Sequence, residues 1–399
     1  MSHKYVVLGS GRQGIAAAYD LAVFGQAESL VLLDIDLGIA QGAAARLNRL
    51  LGKPIASGFQ VDAGDLSTVA PHLDGAAGLV SSVHYTFNLE VTKLAIAKKV
   101  NMTDFGGNTA VVREQLALDA EAAAAGVTIV PDCGMGPGLN ISLGTYVMSL
   151  VEEPEEVLIW DGGLPQDPQP PWNYVSTFSL GGLTNEYDGD ASFIRDGKVV
   201  PVPCFSGYEV LEFPEPIGRL EAFVTSGGLS TSPWTFEGRL KRLENKTLRY
   251  PGHVAQFKAF SDLGLLRLDP VAVGGQRVVP RDVLHALLEP QICRDEVKDI
   301  CVMRVKGTGT TRGRRAEAVV ELIDRYDERT GFTAMQRLTG WHGSIMLIAA
   351  VGGMVRRGAV PVELALPGRA VVLECRRRGI SVSEDGTSQD RNIATSQDA

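Results

Sequence analysis

The residues near the N-terminus whose types and spacing suit chemistry are Gly9-Ser10-Gly11-Arg12-Gln13-Gly14, a G-x-G-x-x-G turn, and Asp34, 20 residues past Gly14. Gly9 permits a tight turn, Gly11 lets the backbone approach a pyrophosphate, and Gly14 lets helix and strand pack closely. A diphosphate would then rest on free N–H groups at the positive end of a helix. A carboxylate at the place of Asp34 accepts both ribose hydroxyls of NAD and repels a 2′-phosphate. The pattern therefore predicts NAD, with Asp36 a weaker contributor. The competing reading is a tight turn in some other α/β unit.

These residues need a strand, a helix and a second strand to hold them, and the flanking sequence supplies each. Tyr5 to Leu8 reads as a buried parallel strand, Ile15 to Phe24 as a helix, and Leu30 to Leu33 as the next strand. The alternation continues with a helix over Leu37 to Leu51, a strand over Ile55 to Val61 and a short helix over Leu66 to Leu73. Asp62, in the polar turn after that third strand, faces the adenine in such a domain; alternatively Asp62 or Asp65 caps the next helix. Gly78 to Val83 is a strand that brings Ser82 and Val83 to the cofactor, and Met102 to Phe105 is another. A long Ala-rich helix to Ala125 and a strand from Val127 to Pro131 follow. Ligands of open α/β sheets bind beyond the carboxyl ends of the strands. His84 to Asn88, Gly106 to Asn108 and Asp132 to Asn140 should therefore converge where the nicotinamide meets substrate.

Past Val151 the texture changes. Pro165, Pro168, Pro170 and Pro171 mark a loop at the edge of a new domain, because such a run continues neither a helix nor a central strand. Short strands, helices and Gly-Gly turns then predict an α+β domain with a mixed sheet. Ile300 to Lys306, Ala318 to Tyr326 and Thr333 to Thr339 read as a meander. A helix from Trp341 to Arg357, with two arginines in its last turn, should return to the first domain. The expected architecture is a Rossmann-type doubly wound parallel sheet (1–130 and about 341–382), a substrate and dimerisation domain (131–340), and a disordered tail (384–399).

The whole composition fits an ordinary globular chain, with 45% hydrophobic and 21% charged residues among 399. The net charge of −9 argues against a nucleic-acid partner, and Arg312 to Arg315 and Arg376 to Arg378 read as solvated faces. Five cysteines without a C-x-x-C pair, and no leader, predict reduced thiols in the cytoplasm. The histidines form no metal-binding pattern, and the apolar run Ile345 to Val351 is too short to span a membrane.

Three further stretches carry a resemblance: Val61 to Asp65, Asp104 to Asn108, and Gly126 to Asp132 with Gly136-Pro137-Gly138 and Asn140. With them the chain, from about residue 4 to 382, resembles the saccharopine-dehydrogenase-like family. Phe178-Ser179-Leu180, Glu221-Ala222-Phe223, Thr225 to Gly228, Lys246-Thr247 and Arg249-Tyr250 with Gly252-His253 look like its bacterial L-lysine 6-dehydrogenases. The resemblance implies a homodimer or higher homo-oligomer that uses NAD to oxidise the carbon bearing an amine. For lysine the product is the 6-semialdehyde, which cyclises, with release of ammonia. Oxidation of a secondary amine such as saccharopine is the alternative, and a regulatory dinucleotide-binding protein without catalysis is the reading from another class.

That chemistry makes demands on particular residues. The substrate ammonium, near pKa ~10.4 as in free lysine, must first lose a proton. Asp132 and His253 are the candidate bases; equally, Asp132 caps the helix after Pro137 and His253 is a packed ring. Arg249, with Arg242 in reserve, suits the substrate carboxylate because its fork is bidentate. Glu186 suits an α-ammonium. Tyr174 and Phe178 would wall the substrate's methylenes, unless Phe178 is core.

Overall fold

The computed structural model describes residues 2–386 apart from Asp295. The chain begins with β1 (His3–Leu8), α1 (Arg12–Phe24), β2 (Ala27–Asp34), α2 (Leu37–Leu51), β3 (Ala56–Gln60), α3 (Leu66–Val69), β4 (Gly78–Ser81), α4 (Asn88–Ala97), β5 (Asn101–Asp104), α5 (Thr109–Ala117), α6 (Asp119–Ala125) and β6 (Thr128–Val130). Next come α7 (Leu139–Ser149), β7 (Glu153–Pro165), α8 (Leu180–Glu186), β8 (Asp190–Arg195), β9 (Lys198–Pro203), β10 (Glu209–Glu212), β11 (Arg219–Phe223), α9 (Ser232–Phe236) and β12 (Arg242–Arg249). After α10 (His253–Asp262), the hairpin β13 (Val271–Val273) and β14 (Gln276–Val278) leads to α11 (Pro280–Ile292), β15 (Asp299–Thr311) and β16 (Arg314–Arg325). The chain closes with α12 (Ala334–Val351), β17 (Gly358–Ala359), α13 (Val362–Ala365), α14 (Gly368–Arg377) and β18 (Ser381–Gly386).

The first sheet runs β3-β2-β1-β4-β5-β6-β17 with every pair parallel. Tyr5 to Leu8 are all buried because β1 is central and covered on both faces, as parallel strands are. The strand order reverses beside β1, which places the switch point over Gly9 to Gly14. The second sheet is mixed: β10-β11-β12-β7-β15-β16-β18, with β8 and β9 added alongside β12. Its β12–β7 pair is parallel and its other ladders are antiparallel.

Several expectations need correction. The Ala-rich stretch forms two helices, α5 and α6, that break at Leu118. Thr333 to Thr339 is no strand. Thr333 and Gln336 form a capping box, and the Asp299 carboxylate accepts the N–H groups of Ala334 (2.7 Å) and Met335 (2.9 Å). The helix α12 therefore starts well before Trp341 and ends at Val351, so Arg356 and Arg357 lie beyond it and bond to Asp119 and Asn101. This helix does cover the first sheet, packing on α1, β4, β5 and β6. The segment after it divides between the domains. β17 extends the first sheet, whereas α14 packs on α7 and β18 pairs with β16 of the second sheet. Glu384 to Gly386 thus belong to a strand, and the rest of the expected tail, 387–399, lies outside the described residues.

Nor is Arg378 solvated. It is buried, and its Nε donates to Asp20 of α1 (2.8 Å), whose other oxygen accepts from Ser344 of α12. Desolvation raises the Asp20 pKa, and the guanidinium opposes that rise. Removing one partner of such a pair strands the other charge, at a cost of about 3–5 kcal/mol. Arg378→Ala, which leaves buried Asp20 with Ser344 alone, should therefore lower the thermal midpoint sharply. Asp262→Ala, which breaks an exposed pair with Lys258, should leave it unchanged. Equal midpoints in calorimetry would show that the Asp20–Arg378 pair does not join the C-terminal segment to α1.

Candidate active site

The phosphate loop has the shape its glycines imply. Gly9 has φ +90°, and a Cβ there would stand 2.6 Å from the Ser82 carbonyl; one on Gly14 would stand 1.9 Å from the Gly9 carbonyl. No atom lies within 4 Å of a Cβ on Gly11, which leaves the backbone open to a diphosphate at the start of α1. Ser10 ties this loop to β2: its N–H donates to Asp34 Oδ2 (2.8 Å) and its hydroxyl to the Leu33 carbonyl (3.0 Å). Asp34 is thereby fixed beside the loop at the end of β2. Ser82 and Val83 face Gly9 from just beyond β4, which ends at Ser81 rather than at Val83. These residues fit a dinucleotide, and a bound nicotinamide would supply the electron acceptor.

Other cofactor candidates have local duties. Asp36 caps α2 by accepting from Gly38 and Ile39. Asp62 accepts from Gly64 (2.7 Å) and shapes its turn, while Asp65 caps α3. Arg12 and Gln13 reach across to the second domain, donating to the carbonyls of Arg294 (3.0 Å) and Thr177 (3.4 Å). The segment around Ser176 to Phe178 thus lies against the phosphate loop. Phe178 is partly buried there between two apolar clusters, so its ring is neither free nor wholly core.

Asp132 stands at the carboxyl end of β6, 1% exposed, with φ 59°. It does not cap α7, whose N-cap is Gly138 without a side-chain bond. Ser230, also at positive φ (47°), donates to Oδ2, and Oδ1 has no partner. Burial, reinforced by the neighbouring Asp104 carboxylate, pushes Asp132 up to about 7. Strained, partly unsatisfied carboxyls of this kind concentrate at functional sites.

Arg249 ends β12, 3% exposed. Its Nε donates to the Tyr187 hydroxyl (3.2 Å) and its Nη1 to the Leu248 carbonyl (2.9 Å); the guanidinium also lies 5.1 Å from the Tyr174 ring centre. Burial works against its charge, and the surrounding Tyr187, Tyr174 and Glu186 uphold it. The other buried arginines, Arg281, Arg337 and Arg378, each pair with a carboxylate. Among the described residues, Arg249 is the buried arginine that does not. Arg242 is not an alternative, because it lines a charged surface depression of about 340 Å³ and is bound to Glu244 (2.9 Å).

His253 is the packed ring. It stacks on Phe257 (4.1 Å between centres) among Tyr174, Tyr187 and Phe223, and its Nε2 meets the Tyr187 hydroxyl (2.8 Å). Burial and Arg249 hold its pKa well below the ordinary value, so it is neutral and supports Tyr187, which in turn accepts from Arg249. Glu186, at the end of α8, is partly exposed, and burial pushes it up to about 7 against the pull of Arg249.

Two groups escaped the sequence reading. Asp161 of β7 is 6% exposed, accepts from Asn245 (3.1 Å) through Oδ1, and leaves Oδ2 without a partner. Ser230 lies in the turn that follows Gly227-Gly228. A carboxylate between Ile159 and Gly162-Gly163 in an apolar strand was the available signal for Asp161. The Asn140 amide, which donates to the Gly228 carbonyl (2.9 Å), links the Asp132 loop to this second-domain turn. Among the described residues, no group of three or more His, Cys, Asp or Glu suits a metal, and no helix is long and apolar enough to cross a membrane.

The comparisons with known proteins agree with this architecture. The model for the saccharopine dehydrogenase NADP binding domain matches residues 5–130, and that for the saccharopine dehydrogenase C-terminal domain matches residues 134–374. The chain belongs to the saccharopine dehydrogenase family. Among curated relatives, the L-glutamate-forming, NADP(+) saccharopine dehydrogenase of Saccharomyces cerevisiae is 25% identical over 269 residues, 64% of this chain and 58% of that protein. That of Pyricularia oryzae is 28% identical over 202 residues, 47% of this chain and 43% of that protein. The chain thus spans less than two thirds of these relatives' length. In fold it is similar to the apo yeast saccharopine dehydrogenase (TM-score 0.76, 19% identity, 97% of this chain and 100% of that one). It is also similar to the homospermidine synthase of Legionella pneumophila in complex with NAD (TM-score 0.68, 13% identity, 100% of this chain and 96% of that one).

The two curated relatives are named for NADP(+) and the homospermidine synthase structure holds NAD, so Asp34 is where this chain's choice can be tested. Wild-type protein should bind NAD more tightly than NADP in calorimetry, and Asp34→Ser should narrow the difference by removing the ribose acceptors and the repelling charge. Equal affinities in the wild type would exclude that role for Asp34.

Proposed function

We propose that the chain is an NAD-dependent oxidoreductase acting on the terminal amine of an amino acid, L-lysine first, yielding the 6-semialdehyde and ammonia. The observation that carries this reading is the Arg249 guanidinium, buried and without an ion pair among the described residues. A buried cation is costly unless paired, and among the described residues every other buried arginine has its carboxylate within the chain. A substrate carboxylate completes Arg249. One such vacancy suits a substrate with one carboxylate; saccharopine, with three, would call for more.

The chain's own groups then divide the work. Arg249, held by Tyr187 and faced by Tyr174, binds the carboxylate, and Phe178 borders the crevice between the domains. The free Oδ1 of Asp132 accepts the proton that the substrate ammonium must lose before its carbon is oxidised. Ser230, donating to the other oxygen, stabilises the charged form. NAD rather than NADP follows from Asp34.

Purified protein with L-lysine, saccharopine and NAD, followed by NADH absorbance, tests the assignment; turnover of saccharopine alone would select the secondary-amine reaction, and turnover of neither a regulatory role. Arg249→Ala should raise KM for lysine about ten- to a hundredfold, the worth of a charge-assisted bidentate pair, with NAD affinity unchanged. An unaltered KM would place the carboxylate elsewhere. Asp132 accepts a proton only when charged, so with its pKa near 7 kcat/KM should rise as pH increases through about 7 and then level. Asp132→Asn should lower kcat and abolish that limb; a profile that keeps the limb would assign it to another group.

A further inference from the structure

Asp161 lies on the inner face of the second sheet, in line with Thr247 of β12, and Arg249 is two residues further along that strand. At about 3.3 Å per residue and about 4.8 Å between strands, the two Cα atoms are about 8 Å apart on one face. Oδ1 is occupied by Asn245, so Oδ2 has a fixed direction. It points at the loop after β6, where a Cβ on Gly136 would stand 2.9 Å away. The Asn140 amide beside it gives one N–H to the Gly228 carbonyl, and its second N–H helps to hold the charged form of Asp161. Arg249 is close enough to favour the Asp161 charge, but among the described residues no ion pair joins the two.

A buried carboxylate and a buried guanidinium thus lie on one face of the sheet without an ion pair between them. An α-amino acid head group carries the complementary pair, ammonium and carboxylate on one carbon. We propose that Asp161 binds the α-ammonium of the substrate whose carboxylate Arg249 holds, so that the site selects α-amino acids over simple ω-amino acids. This rests on the amino-acid dehydrogenase reading and deepens it. Glu186, the sequence-based choice for that ammonium, is partly exposed and sits at the end of a short helix. Asp161 is held on a central strand with one oxygen already fixed, so it pays less ordering entropy on binding.

The test compares L-lysine with 6-aminohexanoate, which keeps the carboxylate and the reacting amine but lacks the α-ammonium. Wild-type kcat/KM should favour lysine by about ten- to a hundredfold, as expected for a charge-assisted contact. Asp161→Asn should erase this preference by raising KM for lysine alone, with NAD affinity and melting temperature kept. Gly136→Ala, which places a methyl before Oδ2, should act in the same direction and serves if the first variant does not fold. Equal wild-type rates for the two compounds, or a parallel loss of both in the variants, would overturn the role of Asp161. If neither compound is turned over, the lysine reading fails separately. Thermal shift with L-glutamate against glutarate and L-norleucine against hexanoate then decides: Asp161-dependent stabilisation by the α-amino acids supports the proposal, and equal shifts by the des-amino acids refute it.

Discussion

Gly340 brings α12 so near α1 that a methyl group there would meet the Ala17 nitrogen at 2.7 Å and the Gln13 carbonyl at 2.8 Å. That contact positions much of the molecule. From α12, Gln336 donates to the Arg12 carbonyl (2.8 Å), so the helix steadies the start of α1 where a diphosphate would rest. Its first turn is capped by Asp299 of the second sheet, and His342 bridges the Cys133 carbonyl (2.9 Å) and Ser142 (3.0 Å). One helix is thus bound to the phosphate loop, to the loop that carries Asp132, and to the sheet that carries Asp161 and Arg249. Backbone approach this close tolerates little displacement, because interiors are packed at crystal-like density.

Against that rigid frame the crevice is electrostatically unfinished. Asp132 and Asp161 each keep one oxygen without a partner, and Arg249 lacks a carboxylate. Elsewhere buried arginines lie beside carboxylates: Arg378 beside Asp20, Arg337 beside Asp324, Arg281 beside Asp188. What sets the crevice apart is Arg249, a buried arginine without an ion pair among the described residues. Desolvation raises the carboxyls of Asp132, Asp161 and Glu186, and Arg249 offsets only part of that rise at Asp161 and Glu186.

The legible part of the sequence was the part whose physics is local. β1, the phosphate loop, α1 and β2 follow one another within 34 residues, and period, glycine spacing and the terminal acid each report on that short stretch. Thr333 to Thr339 misled because threonines favour strands, whereas the capping box and the carboxylate of Asp299, 34 residues earlier, nucleate a helix there. The Arg376 to Arg378 cluster misled for a related reason: three adjacent arginines on a helix end point in different directions, and only Arg378 meets Asp20.

By itself, then, the sequence determined the cofactor loop, the parallel sheet of the first domain and the residue types available for amine chemistry, whereas the proline-rich segment, expected at a domain edge, follows β7 inside the second sheet. Which of those residues act together was decided by tertiary structure. His253 and Arg249 are only four positions apart, yet one is enclosed by aromatic rings and neutral while the other stays charged. Asp161 gave no motif at all, because its significance lies in the register of β7 against β12 and in the missing side chain of Gly136. Burial and the satisfaction of each polar atom are set by contacts between segments far apart in the chain, and local spacing does not encode them.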